Sequence, residues 1–281
     1  MDFRGKALLG TCGWSYDDWQ GSFYPQGLSK RDRLEVYARR FGTVEIDSTF
    51  YAIPALQTVQ SWRERTPDGF VFSAKFPRLI SHENRLEESG SLAQSFVETM
   101  SELGPKLGAL LLQLPPGMTI QNFDALARFL EGLPDGYLYA VEVRDRSWLV
   151  EPFAKLLKKW QVTLALTDSN HMERFWRVTS TVAYVRLLGR WNQFEVYDRL
   201  QRDVAADLNW WVPRMEHFLS RGGAVLTYVN NNFAGHSPAV VEAARRRLDS
   251  AYLRKEFASP EPIVPGILPG LAERGDGDES S

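Results

Sequence analysis

The segment Tyr137–Arg144, YLYAVEVR, decides how this chain is read. It is a short run of residues that favour extended backbone, and it ends on charge. Successive side chains of a strand point to opposite faces. One phase therefore puts Val141 and Val143 on one face, and Glu142 and Arg144 on the other. Seven more runs share this character: Ala7–Thr11, Thr43–Asp47, Gly69–Lys75, Gly108–Leu114, Val162–Asp168, Thr181–Leu187 and Ala224–Asn230. Most are separated by enough chain for a crossover helix, so the pattern is (βα) repeated eight times. That count predicts an α/β fold, a (β/α)8 TIM-type barrel, with its chemistry at the carboxyl ends of the strands.

Helical periodicity fills the gaps. It predicts helices over Arg31–Arg40, Leu56–Arg65, Ser89–Leu103, Asn122–Leu130, Pro152–Trp160, Asp198–Ser220 and Pro238–Leu253, the last opened by Ser237 as a cap. The sixth crossover, Ser169–Ser180, is too short for a full helix. A barrel of this type needs about 250 residues. The 281 residues supply one barrel over 1–257, and a Pro/Gly-rich tail over 258–281 that is expected to be partly disordered.

Composition narrows the function. A net charge of −2 gives no global basic field for indiscriminate nucleic-acid binding. A single cysteine, Cys12, excludes an intramolecular disulfide and suits a reducing compartment. The start, MDFRGKALLG, has no long apolar core of a signal peptide, and no run approaches a membrane span. These readings predict a cytoplasmic protein without membrane contact.

Apolar side chains must face the helices, and this directs polar ones inward: Glu45 and Asp47, Ser73 and Lys75, Gln113, Glu142 and Arg144, Asp168, Tyr184 and Arg186, Tyr228 and Asn230. Buried charge is costly unless paired, so the interior should hold a connected network beneath a cleft. Such a set is either a structural ion-pair lattice or a functional site. Glu45, deeper in its strand, reads as structural. Glu142, Asp168, Lys75 and Asp47 read as catalytic candidates. A lysine inside a barrel could also form a Schiff base, although no aldolase pattern accompanies Lys75.

The loops after the strands add aromatic residues, in CGWSYDDWQGSFYP and STFYAIP and at Trp148 and Trp191. These either contact a ligand or pack as a lid. The loops LLGRWNQF and NNNFAGHSP suggest an anion site. There Arg186 and Arg190 supply charge, Asn230 and Asn231 supply amide donors, and the helix opened by Ser237 supplies free N–H groups.

The segments GTCGWSYDDWQGSFYP, VEIDSTFYAIP, FVFSAKFPRLISH, LLLQLPP, VEVRDRSW, YVRLLG and YVNNN, in this order, resemble the DUF72 (YecE-like) family. The resemblance implies a TIM-type barrel and leaves the reaction open. It also implies that Trp14, Asp47, Tyr51, Lys75, His82, Gln113, Glu142, Arg144, Trp148, Asp168, Arg186 and Asn230 occupy characteristic positions. Two departures stand out. Asp145 and Leu188 occupy places where the family pattern often has histidine.

Other chemistries lack support. His82, His171, His217 and His236 show no zinc spacing. No GxGxxG or P-loop marks a nucleotide cofactor, and neither GWS nor Cys12 has a histidine and an acid nearby to make it a nucleophile. No metal is assigned, and a magnesium or manganese site on Asp47, Glu142 and Asp168 is the lesser alternative. The resulting expectation is hydrolase-like or lyase-like acid–base chemistry on a small polar or anionic molecule, phosphorylated or carbohydrate-like. The alternative is a non-catalytic protein that binds a nucleotide or single-stranded nucleic acid.

Overall fold

A computed structural model describes residues 4–170 and 172–254. The expected boundary at 257 and the tail over 258–281 lie outside these residues, as does His171. Eight parallel strands close into a barrel in sequential order. They are β1 (Ala7–Cys12), β2 (Thr43–Ile46), β3 (Val71–Lys75), β4 (Leu107–Gln113), β5 (Leu138–Glu142), β6 (Thr163–Ser169), β7 (Val182–Gly189) and β8 (Ala224–Val229).

Among the described residues, seven α-helices follow the predicted order: α1 (Arg33–Arg40), α2 (Leu56–Glu64), α3 (Gly90–Ser101), α4 (Phe123–Glu131), α5 (Glu151–Lys159), α6 (Ala205–Ser220) and α7 (Ser237–Arg247). Among its described residues, the crossover from β6 to β7 holds no helix, in keeping with its short length. No described helix is long and apolar enough to cross a membrane.

Two apolar layers follow from strand parity. Val44, Ile46, Phe72, Ala74, Val141 and Val143 pack outward with buried helix residues such as Leu34, Val59, Phe96 and Leu157. Leu8, Cys12, Leu111, Ala140, Ala165, Leu226, Tyr184 and Tyr228 fill the interior. Tyr228 closes the lower interior, its hydroxyl 2.9 Å from Thr43 Oγ1 and 2.7 Å from Ser73 Oγ. The barrel interior is packed below, and a cleft opens at the carboxyl ends of the strands.

The sixth strand corrects the sequence reading. Asp168 was expected inside, yet its carboxylate accepts from Trp211 Nε1 of α6 at 3.1 Å and from Arg174 Nε at 2.7 Å. Leu164 and Leu166 pack in the outer layer and Ala165 in the inner one. Asp168 shares the parity of the two leucines and follows them outward. Its charge is tolerated there because Trp211 and Arg174 satisfy it, and Arg174 also bridges to Asp207.

Candidate active site at the carboxyl ends of the strands

Glu45, Glu142 and Arg186 meet at the floor of a cavity of about 510 Å³. Arg186 Nη2 lies 2.6 Å from Glu45 Oε1, and its Nη1 donates to Glu142 Oε2. Tyr184 OH donates to Glu45 Oε2 at 2.5 Å. On the other side, Arg144 Nε meets Glu142 Oε1 at 2.9 Å and Arg144 Nη2 meets Gln113 Oε1 at 3.0 Å. The network therefore runs from β2 through β7 and β5 to β4. Burial would raise the Glu142 carboxyl, but Arg186, Arg144 and Lys75 outweigh it and hold it at about 2. At that value Glu142 is ionised at neutral pH.

Asp47 and Lys75 stand above that floor and line the cavity. Ile46 pairs with Ala74 in the β2–β3 register, so these residues leave adjacent strands side by side. Asp47 keeps a third of its side chain open and sits 3.7 Å from Arg186 Nη2. Desolvation, then the Glu45 charge, push it up to about 7. Lys75 is buried, with Nζ 3.6 Å from the ring centroid of Phe50. Desolvation, then Arg186, push it down to about 8. Both groups are drawn toward neutrality for the same reason: a low-dielectric wall whose charges are already paired.

His82 sits on a short π-helical turn, Leu79–Glu83, that carries the chain away from β3. Gln113 Oε1 is taken by Arg144, so Gln113 Nε2 donates toward His82 Nε2 at 3.4 Å. This leaves Nδ1 to carry the proton toward Ser81 Oγ, 2.8 Å away. Burial and the charges of Lys75 and Arg144 lower His82 to about 4, so it is a neutral ring at physiological pH. Phe50 packs against it in a T-shaped contact with ring centroids 4.9 Å apart.

The rim is aromatic and polar. Tyr51 is 74% exposed and Trp191 is 79% exposed, and both line the mouth. Asn230 lines it as well. Its side chain also caps the turn after β8 by accepting from the Asn232 amide at 2.9 Å. Gly189 has φ +68°, and a Cβ there would fall 2.2 Å from the Asn232 carbonyl oxygen, so only glycine permits this approach.

Several expected ligand contacts lie elsewhere. Trp14 packs edge-on against Trp62 and Phe72 in the helix layer. Trp148 is fully buried and donates to the Met118 carbonyl at 2.8 Å. Both fill the gap between strand ends and helices, the structural alternative for loop aromatics. The anion corner is closed. Asn231 Oδ1 accepts from Ser237 N at 3.0 Å, from Ser237 Oγ at 2.7 Å and from Trp19 Nε1 at 3.2 Å. Ser237 is the first residue of α7 rather than its cap, and the protein's own amide occupies the place expected for an anion. A Cβ on Gly235 would meet Gln201 and the Arg199 backbone, so a loop covers this corner too. Arg190 is exposed and does not line the cavity.

The structure also adds residues. Phe50, Arg78, Asn170, Leu188 and Asn232 line the cavity. Phe50 lay beside Tyr51 in STFYAIP and Arg78 in FPRLISH, so proximity to motif residues was the available signal. Leu188 puts an apolar wall where a histidine was expected of the family. Asp145 caps a short turn by accepting from Ser147 N at 2.9 Å.

The carboxylate set Asp47, Glu142 and Asp168 is not assembled, because Asp168 faces α6. A different cluster forms beneath the cavity. Cys12, Glu45 and Asp47 bring ligand atoms within 4.8 Å of one another and could hold a metal ion. Two features oppose a cation there. Arg186 already neutralises Glu45 from 2.6 Å, and burial keeps the Cys12 thiol protonated.

A family model described as "Protein of unknown function DUF72" matches residues 8–263. The chain belongs to the DUF72 family. The UPF0759 protein YecE of Escherichia coli is 40% identical over 136 residues, 48% of this chain and 47% of that protein. YunF of Bacillus subtilis is 29% identical over 152 residues, 52% of this chain and 53% of YunF. The chain thus spans about half the length of the curated relatives it matches. Crystal structures agree on the fold. A DUF72 protein from Thermotoga maritima has a TM-score of 0.71 at 24% identity, covering 86% of this chain and 98% of that one. One from Enterococcus faecalis has a TM-score of 0.69 at 20% identity, covering 86% and 97%.

Proposed function

We propose that this DUF72 barrel is an enzyme that performs hydrolase-like or lyase-like acid–base chemistry on a small, polar, anionic molecule. The observation that carries this reading is the pair Asp47 and Lys75, side by side at strand ends and facing one cavity. Groups that titrate near neutral pH are suited to give and take protons. The floor of Glu45, Glu142 and Arg186 is internally paired and serves as scaffold. When Asp47 carries its proton, Lys75 and Arg144 leave the cavity with an excess of positive charge, which favours an anion. Gln113, His82 and Asn230 offer hydrogen bonds to its neutral parts. A cytoplasmic setting fits the lone, buried Cys12.

The test is saturable stabilisation by phosphate, sulfate or citrate in thermal denaturation, compared with Lys75→Met and Arg144→Met. Ligand-dependent shifts in the wild-type chain and weaker ones in both variants support the reading. Equal shifts in all three would place the anion elsewhere and overturn it.

The exposed rings of Tyr51 and Trp191 favour a second reading, a binding protein for a nucleotide or single-stranded nucleic acid. That reading requires affinity for oligonucleotides that falls steeply with salt and is lost in Trp191→Ala.

A further inference from the structure

We propose that Lys75 is a nucleophilic amine that captures the carbonyl carbon of a small carbonyl acid, forming an imine inside the cavity. This rests on the anion-binding acid–base reading above and makes the chemistry lyase-like.

The geometry sets Lys75 apart from the other strand-end cations. Arg186 is shared between Glu45 and Glu142, Arg144 holds Glu142, and Arg78 pairs with Glu83. Among the described residues, no carboxylate lies within 4.0 Å of Lys75 Nζ, which rests instead over the face of Phe50. The ring face positions Nζ and offers no carboxylate to form an ion pair with it. Arginine would serve a purely electrostatic role with a better fork for an anion. A buried lysine that faces a cavity with no carboxylate within ion-pair distance suits imine chemistry. Arg144, although held by Glu142 and Gln113, lines the same cavity with its side chain 24% exposed and faces the carboxylate of the same substrate. The neighbouring Asp47 supplies the proton inventory that the step needs.

The reactive form has Lys75 neutral and Asp47 protonated. The Nζ lone pair forms the N–C bond while the carbonyl π pair moves to oxygen, which takes the Asp47 proton. Nitrogen then gives one proton back to the Asp47 carboxylate, leaving a neutral carbinolamine. Asp47 protonates the hydroxyl, which departs as water as the nitrogen lone pair closes the C=N bond. The products are a protonated imine, an Asp47 carboxylate and one water, with nothing oxidised or reduced.

Glyoxylate with cyanoborohydride is the direct probe, since reduction of the imine leaves a stable carboxymethyl group on the lysine. Peptide mapping at mildly alkaline pH should find Lys75 labelled at least about tenfold faster than surface lysines such as Lys30. Phosphate should slow that labelling, and Lys75→Arg should abolish the fast phase. Labelling spread over exposed lysines with Lys75 untouched would overturn the proposal. Phosphate stabilisation measured on the same samples separates the two readings. If phosphate binds while Lys75 stays unlabelled, imine formation falls and the acid–base reading stands. If phosphate does not bind either, both fall.

Discussion

Arg186 grips Glu45 with two nitrogens, Nη2 at 2.6 Å from Oε1 and Nε at 3.0 Å from Oε2, across 141 residues of sequence. Both side chains are almost wholly buried. The pair joins β7 to β2 through the barrel, and Arg186 extends the link to Glu142 on β5. Removing one partner of a buried ion pair leaves an uncompensated charge. Removing an isolated buried charge relieves one. The cavity contains both situations, and they give opposite expectations.

Glu45→Gln should destabilise the fold by about 3–5 kcal/mol, the usual cost of breaking a buried pair from one side. Tyr184 keeps an acceptor, but Arg186 loses half of its compensation. Denaturant unfolding checks this. A loss below about 1 kcal/mol would show that water or Asp47 replaces the missing charge.

Lys75→Met should leave the fold intact and raise its melting temperature, more at pH 6 than at pH 10. The folded lysine sits at about 8, below its ordinary 10.5. A depressed lysine costs the native state most below pH 8, and stability returns as pH rises from 8 toward 10.5. Melting curves at the two pH values decide the sign.

Asp47→Asn should show the converse pH dependence. The carboxyl is raised from 3.8 to about 7, so the wild-type chain loses stability as pH rises through that window. The amide cannot ionise, and the variant should gain on the wild type between pH 4 and pH 8. A difference that is flat with pH would show that Asp47 titrates normally.

Asp168→Asn separates scaffold from site. Its carboxylate is held by Trp211 and Arg174 outside the cavity. The variant should lower stability by about 1–3 kcal/mol, the range for a weakened charged hydrogen bond, and leave phosphate binding unchanged. Loss of binding with unchanged stability would return Asp168 to the site.

Much of the barrel was legible because alternation is a local property. A β-strand forces Glu142 and Arg144 away from Val141 and Val143 wherever the chain lies, and the same sterics directed Glu45, Lys75 and Arg186 inward. The parity of Leu164 and Leu166 pointed Asp168 outward as well, against the expectation that every terminal charge faces the centre. The loops were less legible. Trp14 and Trp148 have the composition of ligand contacts, but only packing shows that one leans on Trp62 and the other fills the wall. Asn231 and Ser237 look like an anion cradle until the fold turns each toward the other.

The sequence by itself determined the class of fold, the strand count and which polar groups enter the barrel on β2, β3, β5 and β7, because each follows from periodicity within a few residues. Only the tertiary structure decided which charges cancel. Glu142 and Lys75 both point inward and differ in kind: one is locked ionised between two arginines, the other is left over an aromatic ring without a counter-ion. Their titration depends on partners brought from distant strands and on the water those strands exclude.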